Sequence, residues 1–266
     1  MSNAFLDTSR NIANQFLQNI VFIDDKAFTE TDKTNHDFDA LKIAQVFAES
    51  QKICAVYKPE KVTDIDNMIE LAKKADVTVL DWQIIIEPEK NEKEDEDAVD
   101  DDPRGPHTKR IIRSILTDPL TGHGSLKLVV IFTGEIDIQG ITDEIHADLL
   151  SNGITNIERR NCEIRTENAR ILIIAKPDID LGGEPKFIHT PELNQFVVSY
   201  NALPEFILNK FSEMTSGLLS NFVLNSLNVL RRNNARLIKV FSDNLDIAFL
   251  THKSLLPNPE DASDHL

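Results

Sequence analysis

Short apolar runs alternate with stretches of helical spacing over the first two-thirds of the chain. Ile20-Val21-Phe22-Ile23, Ile53 to Tyr57, Val77-Thr78-Val79-Leu80, Leu128-Val129-Val130-Ile131-Phe132 and Ile171-Leu172-Ile173-Ile174-Ala175 predict five β-strands. All but the second are near-continuous apolar runs, as strands covered on both faces require. Between them, residues 5–19 and 37–50 read as helices, the second with Leu41, Ala44, Val46 and Phe47 as its apolar face. A third helix, capped by Thr63 or Asp64, offers Ile65, Met68, Ile69, Leu71 and Ala72 to the sheet. A fourth spans about His107 to Leu116 through Ile111, Ile112, Ile115 and Leu116, and a fifth spans about Ile138 to Leu150 and stops at Asn152-Gly153. Strands alternating with helices predict an α/β fold with a doubly wound, five-stranded parallel sheet.

Two stretches interrupt the alternation. Residues 87–102 form an acidic insertion too charged to fold alone, and residues 154–170 form a second insertion that fits a short extra strand or a hairpin. From Thr190-Pro191 the pattern becomes all-helical, with Pro204 and Gly217 as punctuation. The expected organisation is therefore a lead-in over 1–19, an α/β domain over 20–200 and a helical extension over 201–266. In the extension Val223, Leu227, Leu230, Asn234, Leu237 and Phe241 repeat at coiled-coil spacing with one polar member. That seam spans under three heptads, which suits packing against its own domain better than a homodimer, although it allows both.

Charge narrows the partners. The chain carries −16, and residues 87–102 hold ten acidic residues against two lysines, half of that total. Such a balance argues against broad nucleic-acid binding; Arg231, Arg232 and Arg236 form a small basic patch that reads as a solvated face. No apolar run reaches the roughly 18 residues of a membrane span, and no secretory signal pattern opens the chain. Cys54 and Cys162 are too few and too far apart for a disulfide framework or a zinc site. A cytoplasmic protein is expected.

The candidate chemistry sits at the strand ends. The first strand stops on Asp24-Asp25, the third on Asp81, the fourth on Thr133-Gly134 and the fifth on Lys176-Pro177. Carboxylates at the C-terminal rim of a parallel sheet can hold a hard divalent cation, with the Gln83 carbonyl as a further oxygen ligand. A carboxylate beside such a cation can attack a phosphoryl group, while Lys176 pairs with a phosphoryl oxygen and Thr133 donates to another.

This set resembles the receiver domain of bacterial two-component response regulators, over roughly residues 18–200. The extension, through Leu203-Pro204-Glu205-Phe206 and Gly217-Leu218-Leu219-Ser220-Asn221, is similar to that of an atypical receiver family. The resemblance implies a flavodoxin-like fold, with Asp81 as phosphoacceptor and Asp24 and Asp25 as the Mg²⁺ pair. It also implies Thr133 as switch hydroxyl and Lys176, usually followed by a cis proline, as phosphate-sensing lysine. A sensor histidine kinase or phosphotransfer protein would be the donor, and the chain would be a phosphoacceptor assisting its own chemistry rather than an enzyme. The departures are Ile173 where many receivers carry Tyr or Phe, a longer loop after Asp25, and the acidic insertion just beyond Asp81. A phosphorylation-independent docking adaptor is the rival reading. A Mg²⁺-dependent phosphohydrolase is disfavoured, because the sequence offers no second acid or base.

Overall fold

The computed structural model describes residues 3–28, 38–86, 105–122, 125–177, 190–240 and 251. The acidic insertion, most of the enlarged loop after Asp25 and the last two seam positions, Leu237 and Phe241, lie outside the residues whose side chains are described. The described chain divides into two compact units, 1–215 and 216–266.

The first unit is built on a seven-stranded sheet in the order β2-β1-β3-β4-β7-β6-β5. Five strands are parallel: β1 (Asn19–Ile23), β2 (Ile53–Tyr57), β3 (Val77–Leu80), β4 (Lys127–Thr133) and β7 (Ala169–Ala175). The expected count of five is corrected to seven, because the second insertion folds into an antiparallel hairpin, β5 (Glu158–Arg160) and β6 (Glu163–Arg165), that extends the sheet beyond β7. Its charged residues hide it from an apolar pattern; Arg170 of β7 pairs at 2.8 Å with Glu163, which also accepts from Arg165 Nε and Nη2 at 2.6 and 3.0 Å. Strands β1, β3, β4 and β7 are buried along nearly their whole length, as their sequences require.

The helices are α1 (Asn3–Phe16), α2 (Ala40–Glu49), α3 (Asp64–Lys74), α4 (Pro106–Leu116), the single turn α5 (Pro119–Gly122) and α6 (Ile138–Ser151). Asp39 caps α2 and Asp137 caps α6, each carboxylate accepting a backbone N–H at 2.8 Å. The face of α2 is corrected: Ala40, Ile43, Val46 and Phe47 are buried, whereas Leu41 and Ala44 are exposed. On α3, Ile65, Met68, Ile69 and Ala72 are buried and Leu71 lies outside that set; the Asp64 carboxylate, not Thr63, accepts the N–H groups before the helix. Lys127 is buried at the foot of β4 and donates from Nζ to the Ala75 carbonyl at 2.8 Å and to that of Lys73, closing the C-terminal end of α3.

After β7 the chain runs through 3-10 turns at Pro191–Phe196 and Tyr200–Ala202 into α7 (Leu203–Met214). Helix α7 packs on α1: the Phe16 and Phe211 rings stack at 5.9 Å, and Arg10 bonds Asn209 at 3.0 Å and pairs with Glu205. The opposite end of α7 is fixed to the sheet by Arg170 and Glu213 at 2.9 Å. The second unit contains α8 (Leu218–Val240), on which Val223, Leu227, Leu230, Asn234 and the three arginines of the basic patch are exposed. No helix among the described residues is long and apolar enough to cross a membrane.

Candidate functional site

Backbone pairing carries the strand ends one residue past the regular ladders. The Asp24 N–H donates to the Tyr57 carbonyl at 3.2 Å, the Asp81 N–H to Ile23 at 3.1 Å, and the Lys176 N–H to Thr133 at 2.7 Å. Asp24, Asp81, Thr133 and Lys176 thus line the C-terminal edge of four adjacent strands, β1, β3, β4 and β7. The order reverses between β1 and β3, the place where doubly wound sheets open a crevice.

The expected charged residues come together there. Lys176 reaches back across β4, its Nζ lying 3.7 Å from Asp24 Oδ2 and 3.8 Å from Asp81 Oδ1, all three side chains nearly inaccessible to water. Those two separations are longer than hydrogen bonds and are ion pairs. The Gln83 N–H donates to Asp81 Oδ2 at 3.1 Å and fixes the carboxylate plane. The Lys26 N–H does the same for Asp24 Oδ1 at 2.8 Å. Burial first, and the Asp81 carboxylate second, push the Asp24 carboxyl up to about 7, against the opposing pull of Lys176. The same two causes raise Asp25, which the Ile85 N–H partly offsets.

These residues fit a divalent cation. Asp25 Oδ1 is buried with no hydrogen-bond partner among the described residues, and the Asp81 carboxylate raises the proton affinity of both Asp24 and Asp25, a repulsion that a positive charge between them would relieve. Among the described residues no group of three or more His, Cys, Asp or Glu side chains is placed to hold a metal ion. Mg²⁺ needs only one or two carboxylates and keeps water and other oxygens for the rest of its shell.

Thr133, buried at the end of β4, accepts the Glu135 N–H at 3.1 Å through its hydroxyl, which leaves the hydroxyl proton to be donated. Its backbone is joined to that of Lys176, so the two side chains share one rim. The Lys176–Pro177 bond is trans, since no cis peptide occurs among the described residues; the usual cis proline is corrected here. Ile173 is fully buried within β7.

Two groups escaped the sequence reading. Thr108, in the first turn of α4, is fully buried and donates from Oγ1 to the Asp81 carbonyl at 2.8 Å. Just before it, Gly105 at φ +86° lies against the Trp82 ring, where an added Cβ would sit 2.4 Å from a ring carbon. The Gly-Pro pair ahead of an amphipathic helix was the available signal. The second group is aromatic. Lys176 Nζ lies 5.8 Å from the Phe38 ring centre and 5.5 Å from that of Phe132, and Tyr200 packs edge-on against both rings at 6.2 and 5.5 Å. The Tyr200 hydroxyl accepts the Asp39 N–H at 3.4 Å. Burial, opposed by that hydrogen bond and reinforced by the Asp24, Asp39 and Asp81 carboxylates, raises its phenol well above the usual range. No single-sequence signal joins Tyr200 to Asp24 and Asp81, each more than a hundred residues upstream.

No curated protein and no solved structure matches the chain. The family model of the response receiver domain matches residues 16–180, well over half of the chain. With that match over the very strands that carry the site, the chain belongs to the response receiver domain family and has the role of a response-regulator receiver.

Proposed function

We propose that Asp81 accepts a phosphoryl group from a phosphohistidine on a sensor kinase or phosphotransfer protein, in a Mg²⁺-dependent reaction that switches the protein's conformation or association. The observation that carries this reading is the buried triangle of Asp24, Asp81 and Lys176 at the strand ends. An Asp81 carboxylate oxygen forms a bond to phosphorus as the phosphorus–nitrogen bond of the donor breaks. The electron pair stays with the imidazole, which takes up a proton from solvent. Mg²⁺ would be held by Asp24, Asp25, Asp81 and the Gln83 carbonyl, and would neutralise charge on the incoming phosphoryl oxygens. The chain's own part is positional. The Gln83 N–H orients the acceptor carboxylate, Lys176 re-pairs its ammonium with a phosphoryl oxygen, and the Thr133 hydroxyl donates to another.

Shifting a two-state equilibrium from 1:99 to 99:1 takes about 5.5 kcal/mol of differential stabilisation. Two charge-assisted hydrogen bonds at about 1.5–3 kcal/mol each supply much of that. Association of a second copy through the exposed Val223, Leu227 and Leu230 of α8 would supply the remainder.

The test is intact mass after incubation with a small acyl-phosphate donor. Wild type should gain one phosphoryl group with Mg²⁺ and none with EDTA, and Asp81→Asn should gain none. A wild type that stays unmodified would favour the phosphorylation-independent adaptor.

A further inference from the structure

The segment between β7 and α7 is bound to the site at several points. The Val198 N–H donates to the Ala175 carbonyl at 3.0 Å, and Val197 bridges the same residue, the one directly before Lys176. Two residues later Tyr200 enters the aromatic cluster on which the Lys176 ammonium rests. Tyr200 also opens the 3-10 turn that runs straight into Leu203, the first residue of α7, and Leu203 is fully buried. The far end of α7 is held at the opposite edge of the sheet by Arg170 and Glu213. The far end of the helix is therefore anchored to the sheet, and the near end, which Arg10 also ties to α1 through Glu205, follows directly on a side chain within the field of Asp24 and Asp81.

From this arrangement we propose that Tyr200 is the residue through which the state of Lys176 reaches α7. The proposal rests on the reading that Asp81 takes up a phosphoryl group. When Lys176 exchanges its carboxylate partners for a phosphoryl oxygen, its ammonium changes position over Phe38 and Phe132. Packed rings have no free volume to absorb that displacement. Tyr200, the one member of the cluster outside the sheet and the α2 approach, moves with it and carries the first turn of α7.

Mg²⁺ and saturating beryllofluoride, a phosphoryl mimic, separate the two layers of the claim. Trp82 fluorescence reports events at Asp81, and hydrogen exchange of peptides spanning 197–209 reports α7. In wild type both should respond, the exchange rates changing roughly twofold or more. Tyr200→Leu should keep the Trp82 response and lose the exchange change, while Tyr200→Phe, which preserves the ring, should keep both. An exchange change equal in wild type and Tyr200→Leu overturns the proposal. So does a wild type in which Trp82 responds while 197–209 stays unchanged, a result independent of how well any variant folds. Silence of both probes in wild type removes the Asp81 reading itself, and the proposal with it.

Discussion

The Thr108 hydroxyl holds the backbone carbonyl of Asp81 at 2.8 Å, so the first turn of α4 supports the strand end that carries Asp81. Thr108→Val keeps the shape and removes the donor, leaving a buried carbonyl without that bond. The expected cost is about 1–3 kcal/mol in chemical denaturation, together with slower phosphorylation of Asp81. Thr108→Ser should restore most of both. A valine variant as stable and as fast as wild type would show that the contact is incidental.

Gly105 is the other fixed point of α4. An alanine there needs a left-handed backbone and places its Cβ 2.4 Å from the buried Trp82 ring. Gly105→Ala should cost about 1–3 kcal/mol and shift Trp82 emission, because neither the ring nor the helix start has room to retreat. Unchanged emission would contradict the packing.

The charge state of Asp24 sets a pH dependence. Its folded pKa of about 7 lies above the ordinary carboxylate value of 3.8, so between those pH values the folded protein holds a proton that the unfolded chain has released. With EDTA present, the contribution of Asp24 to stability should be greatest below about pH 4, fall as pH rises, and be lost above about 7. The loss should be a few kcal/mol, and Asp24→Asn should flatten it. Mg²⁺ should restore stability at pH 8 and leave it unaltered at pH 4. Denaturation curves at several pH values check all three.

At the far edge of the sheet, Arg170 is buried between Glu163 and the half-exposed Glu213. Glu163→Ala removes the buried partner and should destabilise by about 3–5 kcal/mol. Glu213→Gln removes an exposed one and should cost under about 1 kcal/mol. Equal effects would mean that burial does not govern this network.

How much of this was legible follows from where each residue is buried. Strands β1, β3, β4 and β7 are covered on both faces, so their apolar runs announced them, and each site residue stood directly at the end of a run. The β5–β6 hairpin buries little apolar surface beyond Cys162 and Ile164 and is tied to β7 by the Glu163–Arg170 pair, with Arg165 on the same carboxylate, so it left only an ambiguous polar stretch. Leu41 misled because a leucine at helical spacing reads as core, yet it points to solvent. Thr108 reaches the Asp81 carbonyl across 27 residues of chain and Tyr200 reaches the Asp39 N–H across 161, and local pattern does not encode such contacts.

The central claim is that Asp81 is the residue that carries the phosphoryl group. Its most direct test is reductive trapping: treat the protein with a small acyl-phosphate donor and Mg²⁺, reduce with tritiated borohydride, digest, and locate the label. An aspartyl phosphate is reduced to homoserine, so label should appear in the peptide containing Asp81 and only when donor and Mg²⁺ are both present. Label on another carboxylate, or none above the EDTA control, would contradict the account.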